Sequence, residues 1–288
     1  MSVIALDIGG TKIAAAIVKN NKVVKKIILP TKKNVNEFLQ EIRYAIEILI
    51  PKNLEGIGLG VPGPVDVKKG ILVSPPNLPF KNLKLKEHLK KHYKTKIVVE
   101  NDANCAAFGE SIYWKCKNLV CLTLGTGLGS GVVIDGKLYS GEGYAAEIGH
   151  MVINFNGPKC HCGNYGCLEE YVSTRALLRI AKKRYRKISI KEFIKRYDKG
   201  EKKAIACIEE LGYYLGIGLA NIVNIFNPEI IVLSGGISKF GKPLVNAAIK
   251  EMKARAFKVM QKNLRVVISK LREDAALIGL ANLIRKQK

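Results

Sequence analysis

Three cysteines lie within eight residues of one another, and a histidine precedes them. They are Cys160, Cys162 and Cys167, and the histidine is His150. Three thiolates and one imidazole form a four-ligand tetrahedral set that suits Zn²⁺. A site whose four positions are all filled by protein is structural, so we expect the metal to hold a loop and not to activate water. His161 lies between two of the cysteines and is expected to point away from the metal as a bystander.

Two segments combine glycines with residue types that bind phosphate groups. The first runs from Asp7 to Lys12 (Asp-Ile-Gly-Gly-Thr-Lys), and the second from Gly125 to Gly131 (Gly-Thr-Gly-Leu-Gly-Ser-Gly). Glycines at a turn between strands let backbone N–H groups approach an anion without obstruction from side chains. The first segment lacks the P-loop spacing, and the second precedes a predicted strand over 132–134 instead of the helix of a dinucleotide fingerprint. A plain hairpin is the alternative for the first segment.

Polar groups give the first segment further chemistry. Thr11 and Lys12 supply a hydroxyl and a positive charge, and Asp7 has the carboxylate needed to orient Mg²⁺ through water. If the two glycine turns face each other across a cleft, they would clamp one polyphosphate from both sides.

Three further carboxylates stand at positions that suit acid–base or polyol-binding chemistry. Asp102 follows a predicted strand over 96–100 and precedes a helix predicted to start at Ala103. We expect it to cap that helix, to act as a general base that faces a cleft, or to do both. Glu147 and Glu169 bracket the cysteine segment, and they would either accept hydrogen bonds from a polyol or lie on a solvated surface.

The chain repeats a strand, a glycine turn and a second strand. The first copy starts at Val3 and turns at Gly9, and the second starts at Val120 and turns at Gly125, so the two glycines are 116 residues apart. Self-similarity over this distance predicts two related α/β lobes and not a short-period solenoid. A chance resemblance is the alternative, because the strand–glycine–strand pattern is common.

Periodicity and turn residues predict the elements that position these groups. Strands are predicted over 3–8, 13–18, 22–29, 57–61, 96–100, 132–134, 230–233 and 266–268, with a hairpin turn at Asn20-Asn21. Helices are predicted over 36–50, 174–184, 190–197, 202–227 and 275–286.

The composition is that of a globular protein with an unusual charge. The chain has 288 residues, of which 48% are hydrophobic, so a collagen-like or largely disordered chain is excluded. The 48 basic and 24 acidic residues give a net charge of +24, which would favour nucleic acid, anionic lipid or phosphorylated ligands. The lysines are scattered along the chain, and a lysine-rich proteome is the plainer explanation.

The cysteines and the apolar runs bear on the cellular compartment. A tight cluster plus four dispersed thiols favours metal binding in a reducing compartment over a disulfide framework. We expect no signal peptide, because the chain leads straight into a short predicted strand. The longest uncharged run, Leu211 to Pro228, contains asparagines and glycines, so we expect a buried helix there and not a membrane span. A soluble, cytoplasmic protein is the expectation.

Seven motifs together resemble the ROK family of sugar kinases and repressors. In the family's order, and over nearly the whole chain, they are Asp7-Ile-Gly-Gly-Thr-Lys12, Gly60-Val-Pro-Gly-Pro64, Glu100-Asn-Asp-Ala-Asn104, Leu124-Gly-Thr-Gly127, Glu147-Ile-Gly-His150, the Cys160/Cys162/Cys167 segment and Leu233-Ser-Gly-Gly-Ile237. The resemblance implies an α/β fold of the actin-like (ribonuclease H-like) class, with two duplicated lobes and a cleft between them. We expect a small N-terminal lobe over 1–115 joined by the helix 275–288, and a large lobe over 116–274 with the zinc-binding segment 150–167.

The resemblance also implies roles for the residues at matching positions. Asp102 is the expected base that deprotonates the sugar 6-hydroxyl. The expected hydroxyl-binding residues are Gly63, Asn101, Asp102, Glu147, His150 and Glu169. The expected nucleotide-binding residues are Asp7, Gly9, Gly10, Thr11, Lys12, Gly125, Thr126, Gly127, Gly235 and Gly236, with Asp7 near Mg²⁺. The expected zinc ligands are His150, Cys160, Cys162 and Cys167.

The activity implied by the resemblance is ATP-dependent phosphorylation of a hexose at the 6-hydroxyl, with glucose as the first candidate. A kinase for N-acetylmannosamine, N-acetylglucosamine or fructose is the alternative, because this chain has Ser173-Thr174 where many members have Ser-Gly. A sugar-responsive regulator is a distant alternative. The family's repressors carry an N-terminal helix-turn-helix domain, and a phosphate loop at Asp7 is expected to leave no room for one.

The resemblance implies three cofactors, namely ATP, Mg²⁺ and a structural Zn²⁺. The expected partners are the hexose and ATP, with neither a membrane nor nucleic acid among them. Family members are often dimers or tetramers, so a homo-oligomer is expected.

Overall fold

The computed structural model describes residues 1–75 and 77–287. Its strands are β1 (Ser2–Ile8), β2 (Lys12–Lys19), β3 (Lys22–Pro30), β4 (Leu54–Val61), β5 (Val65–Asp66), β6 (Ile71–Leu72), β7 (Leu83–Lys84), β8 (Lys96–Asn101), β9 (Leu119–Leu124), β10 (Leu128–Ile134), β11 (Lys137–Tyr139), β12 (Ile230–Ser234) and β13 (Arg265–Ile268). Its helices are α1 (Val35–Leu49), α2 (Leu85–Lys90), α3 (Asp102–Trp114), α4 (Glu169–Val172), α5 (Thr174–Lys182), α6 (Ile190–Asp198), α7 (Lys202–Phe226), α8 (Lys242–Arg255) and α9 (Ala275–Lys286).

The chain divides into two compact units, and neither is a single stretch of sequence. The first unit contains Met1–Lys115, Gly131–Ala146 and Leu271–Lys288, and the second contains Cys116–Ser130 and Glu147–Lys270. The division expected from the sequence differs from this one, because it assigned residues 131–146 and 271–274 to the second lobe.

The first unit is built on a five-stranded sheet with the order β3-β2-β1-β4-β8. β1, β2 and β3 are antiparallel neighbours, whereas β1, β4 and β8 run parallel. Asn20 and Asn21, with φ of 50° and 58°, form the turn between β2 and β3. A two-residue hairpin turn whose twist matches its strands needs positive φ at both positions, and asparagine tolerates this. The strands and the turn predicted for this region are confirmed.

Both faces of this sheet are buried. Ile4 of β1 packs in a core with Phe38 of α1, and the neighbouring residue Val3 packs in a second core with Leu280 of α9. Successive side chains of a strand point to opposite faces, so one strand contributes to both cores. This explains why β1 has a nearly continuous apolar sequence instead of an alternating one.

A second five-stranded sheet has the order β11-β10-β9-β12-β13. β9, β12 and β13 run parallel, and β10 and β11 form an antiparallel hairpin. This order matches that of the first sheet position by position, with β9 in the place of β1, β12 in that of β4 and β13 in that of β8. The duplicated α/β fold predicted from the repeat and from the resemblance is therefore confirmed.

The helix α7 contains the long uncharged run of the sequence. Its glycines Gly212 and Gly216 lie against the backbone of α8, at distances that leave no room for a side chain. Its C-terminal cap is Asn227 in the left-handed conformation. The predicted buried helix is confirmed, and within the described part of the chain no helix has the length and apolar character that a membrane crossing requires.

Some elements differ from the prediction. The turn after β9 closes at Gly127, whose carbonyl oxygen accepts a hydrogen bond from the N–H of Gly125, so β10 begins at Leu128 and not at the predicted Val132. The helices α2, α4 and α8 were not predicted. α8 buries only Leu244, Ala248 and Met252, an apolar stripe too narrow to stand out in a lysine-rich sequence.

α3 and α9 cross at unusually close range. A methyl group on Gly109 of α3 would overlap the carbonyl oxygen of Ala275, and one on Gly279 of α9 would overlap the carbonyl oxygen of Cys105. The paired glycines therefore let the two backbones touch. This contact fixes the axis of α3, whose first residue is Asp102.

Gly279→Ala should destabilise the protein, although alanine normally favours a helix by about 1 kcal/mol over glycine. The added methyl group forces α3 and α9 apart, and overpacking of this kind costs roughly 1–3 kcal/mol. We expect a lower free energy of unfolding by urea denaturation. Gly236→Ala is the control, because a Cβ there has no atom within 4 Å. A Gly279→Ala protein at least as stable as the wild type would contradict the close crossing.

Candidate functional site

His150, Cys160, Cys162 and Cys167 come together in the second unit. Their ligand atoms all lie within 4.8 Å of one another. The Sγ atoms of Cys162 and Cys167 are 3.6 Å apart, and Sγ of Cys160 is 3.7 Å from Nδ1 of His150. With Zn–S bonds of about 2.3 Å, neighbouring ligands of a tetrahedral site lie roughly 3.8 Å apart. The four predicted ligands thus have the separation that a tetrahedral ion needs.

The pKa values of the three cysteines differ, and a hydrogen bond from the backbone N–H of Asn164 lowers that of Cys162. Burial raises the pKa of Cys160, and it raises the pKa of Cys167 to about 12. These thiols would keep their protons at neutral pH unless a cation replaced them, since metal ligation requires the thiolate. A Cys₃His set is the donor set of a structural zinc site.

His150 has a second nitrogen that the cluster leaves available. Its Nε2 lies 3.9 Å from Oε2 of Glu147, whose side chain is exposed. A histidine bound to a metal through Nδ1 commonly directs its other N–H at a carboxylate. One imidazole can therefore serve the metal on one side and a polar ligand on the other.

His161 does not behave as the bystander that the sequence suggested. Its Nδ1 lies 3.1 Å from Oε1 of Glu169, and its ring packs edge-on against that of His150. Its Nδ1 also lies 3.8 Å from Sγ of Cys160, so the expectation that His161 points away from the cluster is wrong. The same nitrogen faces the candidate sugar-binding carboxylate of Glu169. The position of His161 between two cysteines in the sequence did not predict its contact with Glu169.

Glu169 is almost fully buried at the start of α4, close behind the cysteine segment. Its Oε2 accepts a hydrogen bond of 2.8 Å from the N–H of Leu128, and its Oε1 lies 2.9 Å from Nη2 of Arg175. The solvated-surface alternative for Glu169 is therefore wrong. No local sequence signal marked Arg175 as part of this site.

The turn Gly125–Leu128 lies beside this carboxylate. Gly127 packs directly against Oε2 of Glu169, so a side chain at that position would overlap it. Thr126 is exposed at the tip of the turn. Gly235, with a φ of 85°, packs on the backbone of Leu124 just before the turn. Two of the predicted nucleotide-binding turns are thus neighbours in the second unit.

The turn Gly9–Lys12 joins β1 to β2 in the first unit. The N–H of Gly9 donates to the carbonyl oxygen of Lys12, and the hydroxyl of Thr31 donates to the carbonyl oxygen of Gly9. Nζ of Lys33 donates to the carbonyl oxygen of Gly10. Thr31 and Lys33 shape this turn from the segment that follows β3, and no local sequence signal marked either residue.

Asp7 stands at the end of β1, directly before that turn. Desolvation by the surrounding protein raises the pKa of Asp7 to about 6, although the positive charges of Lys12 and Lys26 oppose the shift. A carboxylate that is short of solvation gains from a nearby cation. The position suits the Mg²⁺ role expected from the sequence.

Asn101 is the N-cap of α3, and Asp102 is the first residue of the helix. The side chain of Asn101 caps the helix by accepting hydrogen bonds from the N–H groups of Ala103 and Asn104. The expectation that Asp102 caps a helix starting at Ala103 is therefore wrong by one residue. Oδ1 of Asp102 accepts from the N–H of Ala103 at 2.8 Å.

Gly63 lies beside the same helix terminus. Nδ2 of Asn101 donates to the carbonyl oxygen of Gly63 at 3.2 Å, and Gly63 has a φ of 79°. The amide of Asn101 thus ties the loop after β4 to the start of α3. Three of the predicted sugar-binding residues, Gly63, Asn101 and Asp102, are brought together in the first unit.

Glu100 is a buried carboxylate that the sequence analysis did not assign. Its Oε1 accepts from the N–H of Asn101 and from Nδ2 of Asn104, and burial raises its pKa. In register, Asp7 of β1 lies beside Gly60 of β4, and Gly60 lies beside Glu100 of β8. The carboxyl ends of the three parallel strands therefore gather the polar residues of this unit at one edge of the sheet.

Known proteins resemble this chain over most of its length. The sequence model of the ROK family matches residues 3–287. The chain is 31% identical to a glucokinase of Thermotoga maritima, over 100% of this chain and 98% of that protein. It is 34% identical to a xylose repressor of Bacillus subtilis, over 81% of this chain and 62% of the repressor.

Solved structures give the same assignment. The ROK family glucokinase from Streptomyces griseus, determined in complex with glucose and AMPPNP, matches with a TM-score of 0.86 and 31% identity, over 99% of this chain and 100% of that one. The matching family model, the relatives above 30% identity and this fold agree. The chain belongs to the ROK family.

Proposed function

We propose that this protein is an ATP-dependent hexokinase that phosphorylates glucose at the 6-hydroxyl. The observation that carries the proposal is the position of Asp102 at the first turn of α3, beside Asn101 and Gly63. Its support from relatives is the similarity to glucokinases over the whole described chain.

Asp102 would act as the general base. A sugar hydroxyl is a weak nucleophile, and a carboxylate within hydrogen-bond reach takes up its proton as the oxygen bonds to the γ-phosphorus of ATP and ADP leaves. Base catalysis of this kind contributes about 10²–10⁴-fold to the rate. The remaining acceleration in phosphoryl transfer comes from positioning and charge stabilisation.

The other proposed roles follow the expectations from the sequence. Hydroxyl groups of the sugar would bind at Gly63, Asn101, Asp102, Glu147, His150 and Glu169. Phosphate groups of ATP would bind at the backbone of Gly9, Gly10, Thr11, Lys12, Gly125, Thr126 and Gly127, and the adenosine side at Gly235 and Gly236. Mg²⁺ would be held near Asp7 and would neutralise charge on the phosphates when bound.

The structural zinc would fix the segment that carries the sugar-binding groups. Its proposed ligands are His150, Cys160, Cys162 and Cys167, whose spacing supports a tetrahedral ion. Because His150 would use one nitrogen for the metal and the other for the sugar, the ion would set the orientation of the imidazole.

A sugar-responsive regulator is the second candidate function. The similarity to xylose repressors supports it, and so does the net charge of +24, which favours binding to nucleic acid. The chain spans about 62% of the length of these curated relatives. A DNA complex that weakens steeply with salt, together with no turnover of any sugar, would favour this candidate.

The kinase proposal predicts turnover led by glucose and dependent on Asp102. ADP release would be followed with Mg²⁺, ATP and glucose, mannose, fructose, N-acetylglucosamine or N-acetylmannosamine. We expect Asp102→Asn to lose about 10²–10⁴-fold in kcat. Its calorimetric affinity for glucose should stay within a few-fold, because an amide can still accept from the N–H of Ala103.

Asp66→Asn is the control for this prediction, because Asp66 lies in β5 and has no proposed role. If an acetamido sugar were turned over faster than glucose, the role of Asp102 would stand, but glucose would no longer be the proposed substrate. An unchanged kcat in Asp102→Asn would contradict the assignment of the base.

The zinc proposal predicts about one zinc per chain in protein purified without added metal. Cys167→Ser should lose the metal and lower the melting temperature, because a structural site contributes binding energy to folding. Cys207→Ser, which changes a buried cysteine outside the cluster, should retain it. A zinc-free protein with unchanged melting temperature and activity would refute the site.

The raised pKa of Asp7 predicts a pH-dependent cost of folding. Between an unfolded pKa near 3.8 and a folded pKa of about 6, the folded protein binds the proton more tightly, so stability falls as pH rises through this window. Without Mg²⁺, Asp7→Asn should be more stable than the wild type at pH 7.5 by on the order of 3 kcal/mol. The difference should vanish near pH 4.

Urea denaturation at the two pH values measures this effect. Asp198→Asn, a change of an exposed residue on α6, serves as the control and should leave the pH dependence of the wild type unaltered. A stability difference between Asp7→Asn and the wild type that is equal at both pH values would rule out desolvation of Asp7 as its cause.

A further inference from the structure

One short segment holds the turn Gly125–Leu128 at both of its ends. At the first end, the carbonyl oxygen of Gly125 accepts from the N–H of Thr174 at 2.8 Å and from its hydroxyl at 3.0 Å. At the other end, the N–H of Leu128 donates to Glu169 at 2.8 Å. Glu169 and Thr174 are five residues apart in the chain, and they connect to opposite ends of one turn.

The hydroxyl of Thr174 is free to make this bond because another residue caps its helix. Ser173 is the N-cap of α5, and its side chain accepts from the N–H of Ala176. Thr174 follows as the first helical residue. Any residue except proline could donate its backbone N–H to Gly125, and the hydroxyl of Thr174 adds a second bond from the side chain. The side chain of Thr174 therefore contributes specifically to the turn.

Arg175 acts on the other end through Glu169. Glu169 and Glu170 are adjacent and both buried, so their carboxylates would repel each other if they were left unpaired. Nη2 of Arg175 lies 2.9 Å from Oε1 of Glu169 and 3.2 Å from Oε1 of Glu170, and it bridges the two. Holding Oε1 in this way directs Oε2 of Glu169 toward the N–H of Leu128.

The turn packs so closely on the carboxylate of Glu169 that the side chain cannot move without displacing the turn. Gly127 packs on Oε2 of Glu169 without a side chain between them. A rotation of the Glu169 side chain would both break the bond to Leu128 and displace the backbone of Gly127. The orientation of one carboxylate therefore sets the shape of the turn.

We infer that Thr174 and Arg175 are positioning residues for the turn Gly125–Leu128, Thr174 directly and Arg175 through Glu169. The effect on catalysis rests on the proposed function, in which this turn binds phosphate groups of ATP. Glu169 would then contribute to both substrate sites, since it would bind the sugar and also position the turn that binds ATP. A carboxylate has about four lone-pair positions, and Leu128, His161 and Arg175 occupy three, which leaves one for a sugar hydroxyl.

Hydrogen exchange of the turn tests the positioning without any reference to activity. In Arg175→Gln the amide of Leu128 should exchange about tenfold faster than in the wild type, because it loses a well-oriented charged acceptor. Thr174→Val removes only the hydroxyl and should speed exchange within the turn by a few-fold. Arg175→Lys and Thr174→Ser should return toward the wild type.

Arg179→Gln is the matched control, since Arg179 pairs with Glu170 and not with Glu169. It should leave exchange at Leu128 unchanged. Unaltered exchange in Arg175→Gln and Thr174→Val would overturn the inference, whatever the activity of the variants. If Arg175→Gln failed to fold, the Thr174→Val and Thr174→Ser pair would still decide the case.

Steady-state kinetics separates the inference from the proposed function. If both hold, Arg175→Gln raises the KM for ATP by about five- to twentyfold and lowers kcat by less, and Arg175→Lys largely restores the KM. Faster exchange at Leu128 with an unchanged KM for ATP would support the positioning role and would contradict the assignment of this turn to the nucleotide.

Discussion

The register of three parallel strands is the constraint on which the first unit depends. Because β1, β4 and β8 pair in step, Asp7, Gly60 and Glu100 lie side by side where the strands end. The residues that follow each strand must then leave the sheet at the same edge. A slip of one residue would turn every side chain of a strand to the opposite face and would scatter this group. The two cores that bury the sheet therefore also hold the polar residues in place.

The second unit uses a different device for the same purpose. Its polar residues stand mostly on loops and on the short helix α4, and not at the ends of paired strands. The cysteine cluster and the carboxylate of Glu169 supply the missing restraints, the first through the spacing of four ligands and the second through hydrogen bonds to the neighbouring turn. Functional loops need a rigid framework to position them. In this unit the framework consists of the ligand cluster and the hydrogen bonds of Glu169 as well as the hydrophobic core.

The sequence predicted the elements whose signals are local. Buried strands, the hairpin at Asn20-Asn21 and the duplicated order of the sheets followed from apolar runs, turn residues and the repeated glycine turn. The ligand cluster followed from the spacing of its cysteines. Contacts between residues far apart in the chain carried no such signal. Thr31, Lys33 and Arg175 act through partners chosen by the tertiary structure, and the cap of α3 was misplaced by one residue because adjacent Asn and Asp are both good caps.

The first unit is assembled from segments that lie far apart in the chain, and this affects how the protein folds during synthesis. One of its two cores joins β1 and β2 to α9, which follows them by about 250 residues in the chain, and Gly56 and Gly58 of β4 lie directly against Ile284 and Leu280. A ribosome that has synthesised everything up to β13 has therefore produced a sheet with one apolar face covered only in part, by Cys105 and Ala106 of α3. Domains generally fold as their chain emerges, but this one must wait for a distant helix. The nascent protein has to remain soluble with that face partly exposed, and the arrangement of α3 is completed only when α9 arrives.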